Sequence, residues 1–351
     1  MTPRHLTARG ARIATASVAG LAAAGIALTG CAGTPSGDGT DSPITVNVAY
    51  TTTSITDEAP FLVGTSEGFF AAHGCVLGQS IQAANGGANA LQSVLNGGLD
   101  FGEVATNAAI EAVLAGTAIT AVGSSPQGAY DMTYEELPDT GVTKPADLKG
   151  KVLGFTSPGS ATEDMAYLIV NSAGLTPSDV TLTATNGMGG GIALLDSHGV
   201  DVALMTPITE RSEPDGKYTR AFNAIDFTGP YQKGVYIANN DYLAKNPDGV
   251  KCVLAGLDDA MKFIVSNPEK AAQDVADGDS NYSVDDLTPE LQYAVQQGAF
   301  DGTVGMNAKG LENVVLARKL RTGEDKTIPW STLFNTSFLP AGADTAIPSG
   351  S

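Results

Sequence analysis

Six short stretches of Ser, Thr, Asn and Gly carry the chemistry this chain is equipped to do. They are Thr51 to Ser54, Asn85 to Gly87, Thr106 with Asn107, Ser157 to Thr162, Asn186 with Gly187, and Thr206. Each stands where a run of strand period gives way to a run of helical period. At such junctions hydroxyls, amides and unpaired backbone N–H groups can hydrogen-bond a small solute. The residues expected to do so are Thr52, Thr53, Asn85, Gly86, Thr106, Asn107, Ser157, Gly159, Ser160, Thr162, Asn186 and Thr206. Helix capping selects the same residue types, so any one of them alone reads more readily as a cap. Six such ends on one side of the sheets are harder to explain by capping.

Other chemistry is scarce. Three His and three Cys leave little material for a metal centre or a catalytic triad, and nothing calls for a cofactor. The stretch from Asp277 to Asp285 begins like a calcium loop, but Tyr282 replaces the turn glycine and Thr288 the bidentate acid. Gly187 to Gly191 suggests a phosphate cradle, yet no Lys-Ser/Thr pair follows. Ser157 lies between Gly154 and Gly159, a spacing one residue too long for a nucleophile elbow. His73 and His198 each precede a glycine at an expected helix end, where they serve as dipole and cap contributions rather than bases.

The elements that must hold these residues follow from periodicity. The chain has 351 residues, 42% apolar, which is enough for two lobes with real cores. A net charge of −19 removes the basic face that a nucleic-acid partner needs. Strands are expected at 44–50, 75–82, 99–105 and 119–123, with helices at 57–73, 88–96 and 107–115 between them. A loop-rich stretch covers 124–151. The alternation restarts with strands at 152–155, 180–185 and 200–205 and helices at 161–173 and 191–198. A further strand falls at 234–238, and the chain is helical from Asp241, where Val250, Leu254, Leu257, Met261 and Ile264 mark one buried face. The expected fold is α/β with mostly parallel sheets.

The first thirty residues read as a targeting segment. Arg4, Arg9 and Arg12 precede an apolar, Ala/Gly-rich run that ends in Leu28, Thr29, Gly30 and Cys31. That ending resembles the lipobox of bacterial lipoproteins and makes Cys31 the lipidation site. Residues 31–43 form a Gly/Ser/Pro/Thr tether, and removal of 1–30 takes the charge from −19 to −22.

Three segments together resemble the sulfonate, nitrate and thiamine-precursor group of substrate-binding proteins from ABC importers. The first runs from Lys144 to Thr162, through Lys149, Gly150, Lys151 and the Ser157-Pro158-Gly159-Ser160 loop. The second links Ala59-Pro60-Phe61 to Glu67-Gly68-Phe69-Phe70, and the third links Tyr242 to Pro247 with Asn267-Pro268-Glu269-Lys270-Ala271. The resemblance implies a bilobal, type II periplasmic-binding-protein-like fold, two α/β lobes joined by a two-strand hinge. One lobe would comprise 44–130 and 235–351, the other 131–234. It further implies a monomeric, lipid-anchored receptor on the outer face of the cell membrane, with a small-molecule solute and ABC permease subunits as partners and no catalysis. A ligand sensor for a membrane kinase, or a thiamine-pyrimidine enzyme on the same fold, are the alternatives. In the family's topology the helix bearing Cys252 packs back on the first lobe, within reach of Cys75, so a disulfide or two separate buried thiols are both open. Glu103, Glu163, Tyr50, Phe155 and Tyr167 lean toward a neutral or cationic, partly aromatic solute such as a pyrimidine.

Overall fold

The computed structural model describes residues 42–51, 54–83 and 87–349; Cys31, Thr52, Thr53, Asn85 and Gly86 lie outside the described residues. The first lobe begins with β1 (Ile44–Thr51), α1 (Ile55–Ser66), α2 (Phe69–Ala72), β2 (Cys75–Ala83), α3 (Gly87–Leu95), β3 (Phe101–Ala105), α4 (Thr106–Leu114) and β4 (Thr120–Ser124). The second lobe follows as β5 (Thr133–Glu136), a 3-10 turn at Pro145–Leu148, β6 (Val152–Phe155), α5 (Ala161–Ser172), β7 (Thr181–Ala184), α6 (Met188–Asp196), β8 (Val202–Met205), α7 (Pro207–Ser212), β9 (Thr219–Asn223) and α8 (Ile225–Thr228). The chain then returns through β10 (Gly234–Ala238) to α9 (Asn240–Lys245), α10 (Pro247–Ser266), α11 (Pro268–Gly278), α12 (Val284–Gln296), α13 (Ala308–Thr322) and α14 (Trp330–Leu333).

The two sheets share one plan. Their strand orders are β2-β1-β3-β10-β4 and β7-β6-β8-β5-β9. In the first, β1 pairs parallel with β2 and β3, while β10 runs antiparallel between β3 and β4. In the second, β6 pairs parallel with β7 and β8, and β5 runs antiparallel between β8 and β9. The reversed strand is in each case the one that enters from the other lobe. A strand that starts at the hinge must run away from it, against neighbours that end there. Both crossings therefore lie at the carboxyl ends of the parallel strands, and they touch at the Gly128–Tyr231 bridge.

Two local expectations change. The helix expected over 57–73 is broken, because Gly68 adopts φ +76 and caps the short α2 instead of continuing α1. The 124–151 stretch holds β5, and the segment before β10 holds β9; neither strand was expected. β5 is Thr-Tyr-Glu-Glu, a polar tetrapeptide that is nonetheless buried throughout. Glu135 gains an ion pair to Arg220 at 3.2 Å, and the Glu136 carboxylate accepts the Val142 N–H at 2.6 Å. Pairing on both edges overrides weak strand propensity here.

The α10 face places Val250, Leu254, Leu257, Met261 and Ile264 in complete burial against Val48, Phe61 and Phe70. The same helix carries Cys252, which is disulfide-bonded to Cys75 at the start of β2 with Cα atoms 6.1 Å apart. On the other face of the first sheet, α13 packs against both α4 and α5, so Leu311, Val314 and Ala317 share one core with Ile110 and Ile169. Trp330 is a core residue stacked on Phe334. Among the described residues no helix is long and apolar enough to cross a membrane.

Candidate functional site

The topology brings the carboxyl ends of both sets of parallel strands to the two crossings, and the seam between them is the inter-lobe crevice. On the first lobe, β3 turns directly into α4, and the Thr106 N–H donates to the Lys233 carbonyl at 3.0 Å, which ties α4 to the hinge. Asn107, 3% exposed, then extends its Nδ2 to the Gly159 carbonyl of the second lobe at 3.0 Å. This bond joins two of the residues singled out by sequence, 52 positions apart, across the crevice. A second tie lies farther out, where Arg211 on α7 donates to the buried Glu290 carboxylate on α12 at 2.8 Å.

The loop from β6 to α5 is a compact hydroxyl knot. Thr156 and Thr162 hydroxyls lie 2.7 Å apart, and Ser160 and Thr162 hydroxyls 2.8 Å apart. Ser160 caps α5 by accepting the Glu163 N–H at 3.3 Å, and the Glu163 carboxylate accepts the Gly159 N–H at 2.7 Å. That reciprocal pair resembles a capping box. The Gly159 and Ser160 N–H groups, expected to face a ligand, are therefore already bonded within the loop. The Gly159 carbonyl is the group turned toward the other lobe. Gly159 itself sits at φ +76, where only glycine rests without strain.

The other expected residues are scattered in role. Thr206 caps α7 by accepting from Thr209 N–H, and Asn186 occupies a left-handed turn at φ +60. Thr106 keeps a fully buried hydroxyl with no partner among the described residues. The calcium-loop lookalike becomes the end of α11 and the Ser283 cap of α12. A surface cavity of about 660 Å³ adjoins the hinge, lined by Gln127, Tyr231, Asp301, Asn307 and Lys309 among others, and none of the strand-end stretches lines it.

The first lobe's side of the crevice holds a cluster that sequence reasoning missed. Lys233, between the second crossing and β10, lies 3.0 Å from both Asp57 and Asp131. Thr51, at the end of β1, donates toward Asp57 at 3.1 Å and Glu103 at 2.8 Å, and Ser54 bonds Asp131. All of these side chains are buried. In the sequence Asp57 and Glu58 are simply the acids that open the helix expected over 57–73, and Glu103 leans the site toward a neutral or cationic solute without pointing to a partner. A lone lysine immediately before a strand-opening glycine was the available signal for Lys233. The Gly234 backbone packs closely against this cluster, so a Cβ there would fall 2.0 Å from Glu103 Oε1 and force that side chain to move.

Burial governs the electrostatics. Burial raises the Asp57 carboxyl, the Lys233 charge lowers it, and the net direction is upward. Glu103 is pushed up to about 8 by burial and then by Asp57, against the pull of Lys233 and Thr51. Lys233 is drawn down by burial, but Asp131 and Asp57 outweigh this and hold it charged. For Glu103, the unfolded value near 4.5 lies below the folded value, so the folded state keeps a proton that the unfolded state has lost between the two. Its contribution to stability is full below about 4.5 and fades as pH rises toward 8. Glu103→Gln should therefore flatten the fall of the urea midpoint between pH 5 and pH 8; an unaltered slope would mean that Glu103 is ionised in the folded protein.

Two α/β lobes hinged at the carboxyl ends of their strands define the fold of the periplasmic solute-binding proteins. The aliphatic sulphonate-binding protein SsuA of Escherichia coli superposes with a TM-score of 0.61 at 18% identity, covering 74% of this chain and 86% of that one. The nitrate-binding protein NrtA of Synechocystis PCC 6803 gives 0.67 at 12% identity, covering 84% and 87%. A Brucella abortus protein, named for binding with no ligand stated, is 26% identical over 226 residues, and the match spans 63% of this chain and 66% of its relative, just under two thirds. The NMT1/THI5-like family model matches residues 55–271, more than half of the sequence. The chain belongs to the NMT1/THI5-like family.

Proposed function

We propose that the protein is the extracytoplasmic receptor of an ABC importer, capturing one small organic solute between its lobes and delivering it to the permease. The observation that carries this reading is the Asn107–Gly159 bond, which joins opposed strand-end loops directly above the hinge. Lobes that share two crossings, an α13–α5 packing contact and a few polar ties such as Arg211–Glu290 are joined on one side, which suits hinged opening and closing about a ligand. In this reading one lobe is 44–130 with 235–351, and the other is 131–234. Thr52, Thr53, Asn85, Gly86, Thr106 and Asn107 approach the solute from the first. Ser157, Gly159, Ser160, Thr162, Asn186 and Thr206 approach it from the second. Support comes from neighbours that are themselves binding components, including the ligand-binding component of an import system from Staphylococcus aureus. The protein works as a monomer held to the membrane by lipid on Cys31, and it performs no reaction on its solute.

Cys31→Ser tests both halves of the proposal. The variant should leave the membrane fraction as a folded protein. In a thermal-shift screen of sulfonates, nitrate, pyrimidines and polyamines, one class should raise its melting temperature by about 5 °C or more at a hundredfold excess over Kd. A variant still held at the membrane defeats the anchor. A melting temperature unmoved by every class defeats the receptor.

A further inference from the structure

We infer that the solute carries a positively charged nitrogen, received by the carboxyl groups of Asp57, Glu103 and Asp131 at the floor of the crevice. The inference rests on the solute-binding reading above and adds the charge class of its ligand. Its first support is an accounting of bases. Near the crevice, Lys233 is held between Asp57 and Asp131, Arg211 bonds Glu290, Arg220 bonds Glu135, and Arg321 bonds Asp164 at 3.0 Å. Residues 52, 53 and 84–86 are Thr, Thr, Ala, Asn and Gly, so the strand-end loops outside the described residues add no base. Among the described residues each of these four bases is already paired with a carboxylate, and a buried anion without a partner is strongly disfavoured.

The second support is a set of buried oxygens that lack partners. Among the described residues Asp57 Oδ1 and Asp131 Oδ1 accept no hydrogen bond, and these side chains are 2% and 4% exposed. Carboxylate oxygens only accept, so what they lack is a donor, and an ammonium or guanidinium group supplies several. Ser125 is an independent sign. Its hydroxyl is fully buried and has no partner among the described residues, and it lies 2.5 Å from the point where a Cβ on Gly234 would fall. Glu103 Oε1 lies 2.0 Å from that same point. The unpartnered serine hydroxyl therefore packs beside the Glu103 carboxyl against the Gly234 backbone, within the same cluster. The chain's net charge of −19 adds a long-range field that draws cations in and turns anions away.

The test is calorimetric titration of the full chain with butylammonium, putrescine and butylguanidinium, and separately with ethanesulfonate and nitrate. At least one cation should bind with one-to-one stoichiometry while both anions give no heat of binding. Asp131→Asn, which removes one of the unpartnered carboxylate oxygens, should weaken that cation at least tenfold. Ser125→Ala removes a hydroxyl that holds nothing in the fold, so it provides a second variant, expected to weaken the cation several-fold with the melting temperature unchanged. Binding of an anion but of no cation overturns the charge assignment and leaves the receptor reading intact. A cation that binds both variants as tightly as the parent chain overturns the assignment to this cluster. If neither charge class binds, the charge assignment falls, and the receptor reading stands or falls on the thermal-shift screen.

Discussion

Lys233→Met should lower the stability of the folded protein by about 3–5 kcal/mol at pH 7. The ammonium sits 3.0 Å from Asp57 and from Asp131, and all three side chains are shielded from water. Methionine fills much of the same volume but leaves two buried carboxyls without their cation. Removing one partner of a buried ion pair is far more disruptive than replacing both, because the desolvation of the survivor is no longer offset. The pH dependence separates this cause from mere repacking. Asp57 is already raised by burial, and it rises further once Lys233 is gone. A folded-state value above the unfolded one means that the penalty stands at neutral pH and is relieved as pH falls toward 4. Urea midpoints of the variant and parent should therefore converge on acidification. A constant gap, or one below about 1 kcal/mol, would show that the cluster is not held by charge.

Replacing Cys75 and Cys252 together with serine should remove about 4–5 kcal/mol. The bond closes a loop of 177 residues, and constraint of the unfolded chain grows with loop length. It also joins the first β-strand pair of the chain to the helix that returns 177 positions later, so its loss frees α10 from β2 in the unfolded ensemble. Measured by urea unfolding, the double variant and the reduced parent should agree with each other and fall below the oxidised parent. A difference under 1 kcal/mol would mean that the unfolded chain keeps these segments together without the bond.

What could be read from sequence was what repeats locally. The strand–helix alternation, the buried stripe of α10 and the glycines that end helices are all short-range signals. Gly68 was such a signal too, since a glycine after Glu67 marks a left-handed cap. Two kinds of information were not local. β5 has one aromatic and two glutamates in four residues, and it becomes a strand because β8 and β9 flank it while Arg220 pairs with Glu135 and the Val142 N–H reaches Glu136. The Asp57–Glu103–Asp131–Lys233 cluster draws on positions up to 176 residues apart. The lysine before Gly234 and the acid at Glu103 are its only local marks, and only the folded hinge brings the four together. For the candidate site, the sequence picked out Asn107 and Gly159, whose bond spans the crevice. It also assigned ligand duty to N–H groups that the Ser160–Glu163 cap already occupies.

The reversed strands fix the order in which the lobes can be finished. All five strands of the second sheet come from one unbroken stretch, Thr133 to Asn223. The first sheet cannot close until β10 arrives between β3 and β4, and Gly234 follows Ser124 by 110 residues. A chain emerging from its amino end therefore completes the second lobe while β3 still presents an open edge. Only then does β10 slot in, with α10 following to cover the sheet and bring Cys252 to Cys75. The lobe begun first is completed last.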